Sequence, residues 1–333
     1  MIMSKNLILG VDLGGTKIAT ALATAQGKIL ARGYNLIPTQ TAPDTVISTI
    51  FATIDKTLSS SEIALSRVLG IGIAAAGIID SDYGKVIFSP NLPGWREVPL
   101  REAVEQRFGT PAYLGNDANL AALGEWYFGV QKKVANLIYI TVSTGIGGGI
   151  ISNGRLYTGC RGTAGEIGHM TIDINGPRCN CGNIGCWEAL ASGTALAREA
   201  VKQITQGANT SIVELVNGDV SKIDAKVVFE AAKQGDELAK ELISQLAYYF
   251  GVGLANLVNI FNPELILIGG GVAKMGDLLL QPAIKVVKKR AFATSAATVK
   301  IKPALLGDDS GVLGAVAFVL DNLAKESLVR GSE

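Results

Sequence analysis

Three cysteines and one histidine occur at a spacing that suits a metal ion. His169 is the only histidine among the 333 residues, and the stretch "CNCGNIGCWE" follows it with Cys179, Cys181 and Cys186. A neutral imidazole and three thiolates are a recognised tetrahedral zinc set, whereas Cys-x-Cys does not match the Cys-x-x-Cys spacing of redox pairs. Since the protein supplies all four ligands, the sequence predicts a closed zinc site that shapes a loop without performing chemistry.

Two glutamates flank these predicted zinc ligands. Glu166 lies three residues before His169, and Glu188 lies two residues after Cys186. A metal-bound imidazole needs a hydrogen-bond partner for its other ring nitrogen. A ligand hydroxyl would serve, with both carboxylates beside it, so the loop is predicted to hold a polar ligand.

A glycine turn near the start of the chain has the composition of a phosphate site. In "DLGGTK", Asp12 ends a predicted strand, Gly14 and Gly15 make the turn, and Thr16 and Lys17 begin the return strand. Backbone N–H groups, a hydroxyl and an ammonium directed to one spot suit a phosphate. An ordinary hairpin with glycines at positive φ would have the same composition.

Two further glycine-rich segments follow. "STGIGGG", with Thr144 and Gly145, repeats the composition of the first turn after about 130 residues and indicates a weak internal duplication. "LIGGG", with Gly270 and Gly271, ends a predicted buried strand. A flat glycine floor at a strand-to-helix junction accepts a base and ribose closely, although tight helix–strand packing is the alternative.

The stretch "AYLGNDANLAALGEW" predicts a strand, a polar corner and a helix. Asn116 and Asp117 form the corner, and Asn91 lies at the centre of a Pro/Gly-rich loop upstream. Asn and Asp are favoured helix N-caps, which is one interpretation of the corner. The other is a carboxylate held at the mouth of a binding cleft.

These residues require a scaffold of strands and helices, and the apolar pattern predicts an α/β protein. The predicted elements are a three-stranded meander at the start, helices at 43–60 and 309–324, a buried strand at 68–78 and a mostly helical region at 187–261. The net charge of +1 favours neither nucleic acid nor an anionic membrane as a partner.

The compartment is also predicted from composition. The longest apolar stretches fall short of the ~18–20 residues of a membrane span, and no signal peptide is apparent. A cytoplasmic location is therefore expected, where the clustered cysteines would be thiolate ligands and not disulfides. Cys160 stands apart from the cluster and is predicted to be a small buried residue.

Taken together, the motifs resemble the ROK sugar kinases and repressors of the actin/hexokinase-like superfamily, over essentially the whole chain. "DLGGTK" and "STGIGGG" are similar to its phosphate motifs, "LIGGG" to its adenosine motif, and "NDANLAALGEW" and "GEIGH…CNCGNIGCWE" to its signatures. The resemblance implies an α/β fold of two actin-like (RNase H-like) lobes with a central cleft and mixed sheets flanked by helices. One lobe would comprise 1–120 with the C-terminal helix at 309–326, and the other 121–308.

The resemblance also implies roles for individual residues. Asp117 would be the general base for transfer of phosphate from ATP to a sugar, and Asp12 would approach Mg²⁺ through water. Sugar hydroxyls would be held by Asn91, Asn116, Asp117, Glu166, His169 and Glu188. The nucleotide would be held by Gly14, Gly15, Thr16, Lys17, Thr144, Gly145, Gly270 and Gly271. A homodimer or homotetramer is implied as well.

Several alternatives are open at this level. The Glu166, His169 and Glu188 set resembles the glucose type, but a kinase for fructose, mannose, allose or N-acetylmannosamine would share most of it, and polyphosphate could replace ATP. A repressor would carry a DNA-binding module before the first phosphate motif, for which the position of Asp12 leaves no room. A non-catalytic sugar sensor would not need a base aligned with a phosphate.

Overall fold

The computed structural model describes residues 6–330 as a mixed α/β protein. The strands are β1 Leu7–Leu13, β2 Lys17–Thr24, β3 Ile29–Leu36, β4 Val68–Ala75, β5 Ile78–Asp80, β6 Lys85–Phe88, β7 Arg96–Val98, β8 Ala112–Asn116, β9 Leu137–Val142, β10 Ile146–Ser152, β11 Arg155–Leu156, β12 Leu265–Gly269 and β13 Lys300–Pro303. The helices are α1 Pro43–Ser61, α2 Leu100–Phe108, α3 Asp117–Gly124, α4 Trp187–Ala191, α5 Gly193–Thr205, α6 Ile212–Leu215, α7 Ala225–Lys233, α8 Glu237–Phe261, α9 Asp277–Arg290, α10 Ala293–Thr298 and α11 Ser310–Arg330.

By its packing, the chain divides into two compact units. One contains the residues up to Ala135, Gly149–Gly165 and the residues from Leu305 onward. The other contains Asn136–Gly148 and Glu166–Ala304. The lobe boundaries given by the resemblance stay a prediction.

The first sheet has the order β3-β2-β1-β4-β8. The predicted meander forms β1, β2 and β3, which pair antiparallel, while β4 and β8 run parallel to β1. β1 and β4 are almost wholly buried, which agrees with their near-continuous apolar sequences, "LILGVDL" and "VLGIGIAA". Since parallel strands end at one edge, the residues after β1, β4 and β8 come together.

The second sheet repeats this order as β11-β10-β9-β12-β13. β12 pairs parallel with both β9 and β13, and its "LILIG" sequence is completely buried. The first strand of each set is central and precedes a glycine turn, so the topology agrees with the duplication predicted from the two turns. β5, β6 and β7 form a separate antiparallel sheet.

Side-chain caps begin several helices of the region predicted to be helical. Ser192, Asp224 and Asp236 accept backbone N–H groups three residues ahead, at 3.1, 2.8 and 2.8 Å, and so start α5, α7 and α8. Each cap satisfies a backbone donor that the first helical turn leaves unpaired.

One sequence prediction is wrong. Cys160, predicted to be a small buried residue, is exposed in a loop between β11 and the segment of the predicted zinc ligands. Its surroundings in sequence, "YTGCRGTAG", contain few large apolar residues that could cover it. Among residues 6–330, no helix has the length and apolar character needed to cross a membrane.

Candidate active site and metal centre

The predicted site residues fall into two groups, one in each compact unit. The first unit contains Asp12, Gly14, Gly15, Thr16, Lys17, Asn91, Asn116 and Asp117. The second contains Thr144, Gly145, Glu166, His169, Cys179, Cys181, Cys186, Glu188, Gly270 and Gly271. Within each unit, residues far apart in sequence are brought together by parallel strands and short loops.

Asp12 and Asp117 are the two acidic residues of the first group. Asp12 lies near the end of β1 and Asp117 directly follows β8, and both strands flank β4 in parallel. Burial and the neighbouring charge of Asp117 raise the pKa of Asp12 to about 6, while Lys17 opposes the shift. Burial also raises the pKa of Asp117. Two partly buried carboxylates at one sheet edge suit a proton acceptor and a cation-binding group.

The helix cap at the polar corner is made by Asn116. Its Oδ1 accepts the N–H of Asn119 at 3.1 Å, and its Nδ2 donates to the carbonyl of Gly77 at 3.2 Å. Asp117 Oδ1 accepts the N–H of the adjacent Ala118 at 2.9 Å. Asn116 therefore provides the helix cap. Asp117 is not needed for capping and is the carboxylate that could serve a binding cleft.

The first glycine turn is closed and lies against the Asn91 loop. The N–H of Gly14 donates to the carbonyl of Lys17 at 3.0 Å, which makes the turn between β1 and β2. A Cβ added at Gly15 would lie 3.2 Å from Cβ of Asn91, so the two segments are in contact. Gly15, Thr16 and Lys17 are exposed, which leaves the turn accessible to a ligand.

The second glycine turn is held by Glu188. Its Oε2 accepts the N–H of Ile146 at 2.8 Å and lies so close to Gly145 that a side chain there would have to displace the carboxylate. The hydroxyl of Thr194, near the start of α5, donates to the carbonyl of Thr144 at 2.8 Å. The turn between β9 and β10 is therefore fixed by a carboxylate and by the start of a helix.

The glycine floor lies beside this second turn. β12 pairs parallel with β9, which places Gly269 opposite Thr141 at the ends of the two strands. Gly270 has φ +89°, and a Cβ there would lie 2.8 Å from the backbone N of Val142. Both a left-handed conformation and close backbone contact thus require glycine at this position. The candidate phosphate turn and the candidate adenosine floor therefore lie at the same edge of the second sheet.

The four predicted zinc ligands converge on one point. The ligand atoms of His169, Cys179, Cys181 and Cys186 all lie within 4.8 Å of one another. His169 Nδ1 is 3.7 Å from Cys179 Sγ, and Cys181 Sγ is 3.6 Å from Cys186 Sγ. A tetrahedral zinc with ordinary bond lengths separates nitrogen and sulfur by about 3.6 Å and two sulfurs by about 3.8 Å. The residues therefore fit a zinc ion.

The two ring nitrogens of His169 face different groups. Nδ1 faces the cysteine cluster, whereas Nε2 lies 3.9 Å from Oε2 of Glu166. Both side chains are partly exposed, at 36% and 58%. A metal on Nδ1 would leave Nε2 to a polar ligand next to a carboxylate.

Glu125 is a buried carboxylate for which the sequence motifs predict no role. It lies at the end of the "NDANLAALGEW" motif and is completely buried. Its carboxylate binds backbone and hydroxyl groups around residue 305, far away in sequence. The sequence feature that could have indicated this role is an acidic residue among apolar neighbours in a helical pattern. Such a residue, once buried, needs hydrogen-bond partners.

Replacing Asp12 with Asn is expected to stabilise the protein at pH 8 by on the order of 3 kcal/mol in metal-free buffer. The folded-state pKa of Asp12, about 6, lies above the ordinary aspartate value of 3.8. The charged carboxylate therefore destabilises the folded state above pH 6, and this cost disappears as the pH falls towards 4. Denaturant unfolding of wild type and Asp12→Asn at several pH values measures the difference. The exposed Asp82→Asn variant is the control, and an equal effect of both substitutions would contradict the expectation.

Comparisons with known proteins agree with these features. The ROK family profile matches residues 8–322. A glucokinase of Halalkalibacterium halodurans is 39% identical over 334 residues, covering 99% of each chain. A xylose repressor of Caldicellulosiruptor bescii is 37% identical over 316 residues, covering 95% of this chain and 78% of the repressor.

A solved structure gives the same result for the fold. The ROK family glucokinase from Streptomyces griseus, in complex with glucose and AMPPNP, superposes with a TM-score of 0.81 at 37% identity, over 93% of this chain and 98% of that chain. The predicted α/β class with actin-like lobes is confirmed by this match and by the repeated sheet order. The resemblance inferred from the motifs is confirmed as well, and this chain belongs to the ROK family.

Proposed function

We propose that the chain is an ATP-dependent hexose kinase that phosphorylates the primary hydroxyl of glucose. The observation that carries the proposal is Asp117, a carboxylate with a raised pKa that stands beside Asp12 and is not needed as the helix cap. Glucokinases match almost the full chain, which supports the choice of glucose.

The proposed reaction depends on one proton transfer. The sugar hydroxyl oxygen forms a bond to the γ-phosphorus while the bond between that phosphorus and the ADP oxygen breaks. The hydroxyl proton passes to Asp117, whose raised pKa makes the carboxylate a better acceptor than an ordinary aspartate. The remaining catalytic contribution is positioning and charge neutralisation, because phosphoryl transfer requires little covalent chemistry from the protein.

The glycine segments are proposed to hold the nucleotide. Backbone N–H groups of the turns at 14–17 and 144–145 would bind phosphate oxygens, with the Lys17 ammonium nearby, and the floor at Gly270 and Gly271 would accept the adenosine. Asp12 would hold hydrated Mg²⁺, whose charge, when bound, neutralises the phosphates. These assignments follow the composition of the turns and the exposure of Gly15, Thr16, Lys17 and Thr144.

The sugar is proposed to bind the polar groups near the metal centre and the polar corner. His169 Nε2 and Glu166 would bind hydroxyls directly, together with Asn91 and Asp117. Asn116 and Glu188 each have one carbonyl or carboxylate oxygen occupied by a backbone N–H, so they would use remaining lone pairs. A sugar lacking a required hydroxyl would leave such groups unpaired, which is the source of discrimination.

Zinc is proposed to have a structural role. When bound by His169 and the three cysteines, it supplies a fixed loop shape and no open coordination position. The ion would fix the orientation of the His169 ring, whose Nε2 points towards Glu166.

The proposal is tested by incubating the purified protein with Mg-ATP and a panel of hexoses while following ADP release. Glucose, fructose, mannose, allose and N-acetylmannosamine are compared by kcat/KM, and polyphosphate is tested as an alternative donor. We expect the highest kcat/KM with glucose and ATP. Turnover confined to another sugar would contradict the substrate, and no turnover with any pair would contradict the kinase.

A sugar-responsive regulator is a second candidate, because a xylose repressor is 37% identical over most of this chain. A regulator would bind sugar without ADP release. Calorimetric titration with glucose and xylose, compared with the kinase assay on the same preparation, separates the two candidates.

A further inference from the structure

Glu125 is a buried carboxylate in the first unit, and it accepts hydrogen bonds from the segment that leads into α11 and from the first residue of that helix. It begins a single turn of π-helix, Glu125–Gly129, directly after α3. The side chain accepts the N–H groups of Leu305 and Leu306 at 3.0 and 2.9 Å, and its Oε1 lies 2.9 Å from the Ser310 hydroxyl. A buried carboxylate is tolerated only when such donors replace water. Glu125 therefore ties the end of α3 to the beginning of α11.

The first turn of α11 lies directly against Asp12. Ser310 begins the helix, and a Cβ added at the next residue, Gly311, would lie 2.5 Å from Oδ2 of Asp12. A side chain at Gly311 would have to displace this carboxylate. The N-terminal end of a helix is electrostatically positive, so the position of this turn affects where the negative carboxylate of Asp12 rests.

The sides of α11 are held by backbone packing that Glu125 does not provide. Gly10 of β1 lies against the carbonyl of Val312, and a Cβ at Gly124 would lie 2.6 Å from the backbone N of Gly314. These contacts keep the helix against the sheet and against α3. The start of the helix, where Ser310 and the preceding segment lie, is held by the carboxylate of Glu125 and by the ion pair between Arg32 and Asp309.

We infer that Glu125 is a positioning residue, which holds the start of α11 and thereby the carboxylate of Asp12 in the place where it binds hydrated magnesium. The inference rests on the proposed function, in which Asp12 holds that ion. The contacts are continuous from Glu125 to Ser310, from Ser310 to Gly311 in the chain, and from Gly311 to Asp12. π-Helical turns occur frequently at functional sites, and this turn presents the carboxylate.

The test is the magnesium dependence of Glu125→Gln. The amide keeps the size of the side chain but places an N–H group against donors, so the start of α11 loses the anchor that Glu125 provides, while the Arg32–Asp309 ion pair remains. We expect the Mg²⁺ concentration for half-maximal activity to rise by about tenfold or more, with the KM for sugar nearly unchanged. Glu105→Gln is the matched control, because Glu105 also binds a backbone N–H, that of Ala112 at 2.9 Å, in the same unit. Its Mg²⁺ dependence should equal that of wild type.

A milder variant keeps the inference testable if Glu125→Gln does not fold. Ser310→Ala removes only the hydroxyl next to Glu125 and should raise the Mg²⁺ requirement in the same direction, by about two- to tenfold. If Glu125→Gln, or Ser310→Ala in its place, lowers thermal stability but leaves the Mg²⁺ requirement unchanged, Glu125 is merely structural and the inference is wrong.

A binding measurement separates failure of this inference from failure of the proposed function. Mn²⁺ binding in the presence of ADP is followed by electron paramagnetic resonance and needs no turnover. Weaker Mn²⁺ binding by Glu125→Gln but not by Glu105→Gln supports the positioning role even if no sugar is phosphorylated. Equal binding by wild type and both variants overturns it, whatever the kinase assay shows.

Discussion

Replacing Asp117 with Asn is expected to lower kcat by about 10²–10⁴-fold, with little change in the KM for sugar. The amide oxygen can still accept the N–H of Ala118, which Asp117 Oδ1 binds at 2.9 Å, so the start of α3 should be retained. What the variant loses is a group that can take the proton of the sugar hydroxyl. Steady-state kinetics with glucose and Mg-ATP measure both constants.

The pH dependence of the wild type provides a second readout of the same carboxylate. Because burial raises the pKa of Asp117, kcat/KM should fall on the acid side at a higher pH than an ordinary aspartate would give. Asp12, with a pKa of about 6, titrates nearby, so the acid limb belongs to the pair. Asp82→Asn, at an exposed aspartate of the same unit, should behave as wild type. An Asp117→Asn variant with near-normal kcat would show that another group accepts the proton.

Replacing Cys181 with Ala is expected to abolish stoichiometric zinc binding, lower the thermal midpoint and raise the KM for sugar by about tenfold or more. Cys181 is the exposed cysteine of the cluster, whereas Cys179 and Cys186 are buried. Its substitution therefore removes a ligand without opening a cavity in the core. Metal analysis, thermal denaturation and steady-state kinetics are the three measurements.

Cys160 supplies the control for this experiment. It is also exposed but is not among the clustered ligands, so Cys160→Ser should keep one zinc per chain and the wild-type KM. Removal of the metal from wild type by a chelator should reproduce the Cys181→Ala phenotype, and added Zn²⁺ should reverse it. Full zinc content and unchanged stability in Cys181→Ala would contradict the assigned ligand set.

Glu188 explains why loss of zinc should reach beyond the loop itself. One of its oxygens accepts the N–H of Ile146 in the second glycine turn, and the other lies 3.9 Å from Cys179 Sγ. If the loop lost its metal, the Glu188 carboxylate would lose its contact with Cys179. The second phosphate turn would then lose a fixed partner, so we expect the KM for ATP to rise together with that for sugar.

Local patterns in the sequence were sufficient for the elements and for the chemistry of each motif. The spacing of His169 and the three cysteines predicted a zinc set, and the four ligand atoms do converge. The meander, the second hairpin and the buried strand before the glycine floor were predicted from alternation and glycine turns, and each is present. Such features are local, because turn conformation and ligand spacing depend on residues only a few positions apart.

The tertiary structure alone decided which distant residues meet. Asp12 and Asp117 become neighbours because β1 and β8 flank β4 in parallel, an order that no local pattern specifies. Glu125 finds its partners 180 residues away, and the exposure of Cys160 depends on what the rest of the fold leaves uncovered. Residue types therefore determined the possible chemistry of this protein. Strand order and close helix packing, which depend on long-range burial, decided which groups can act together.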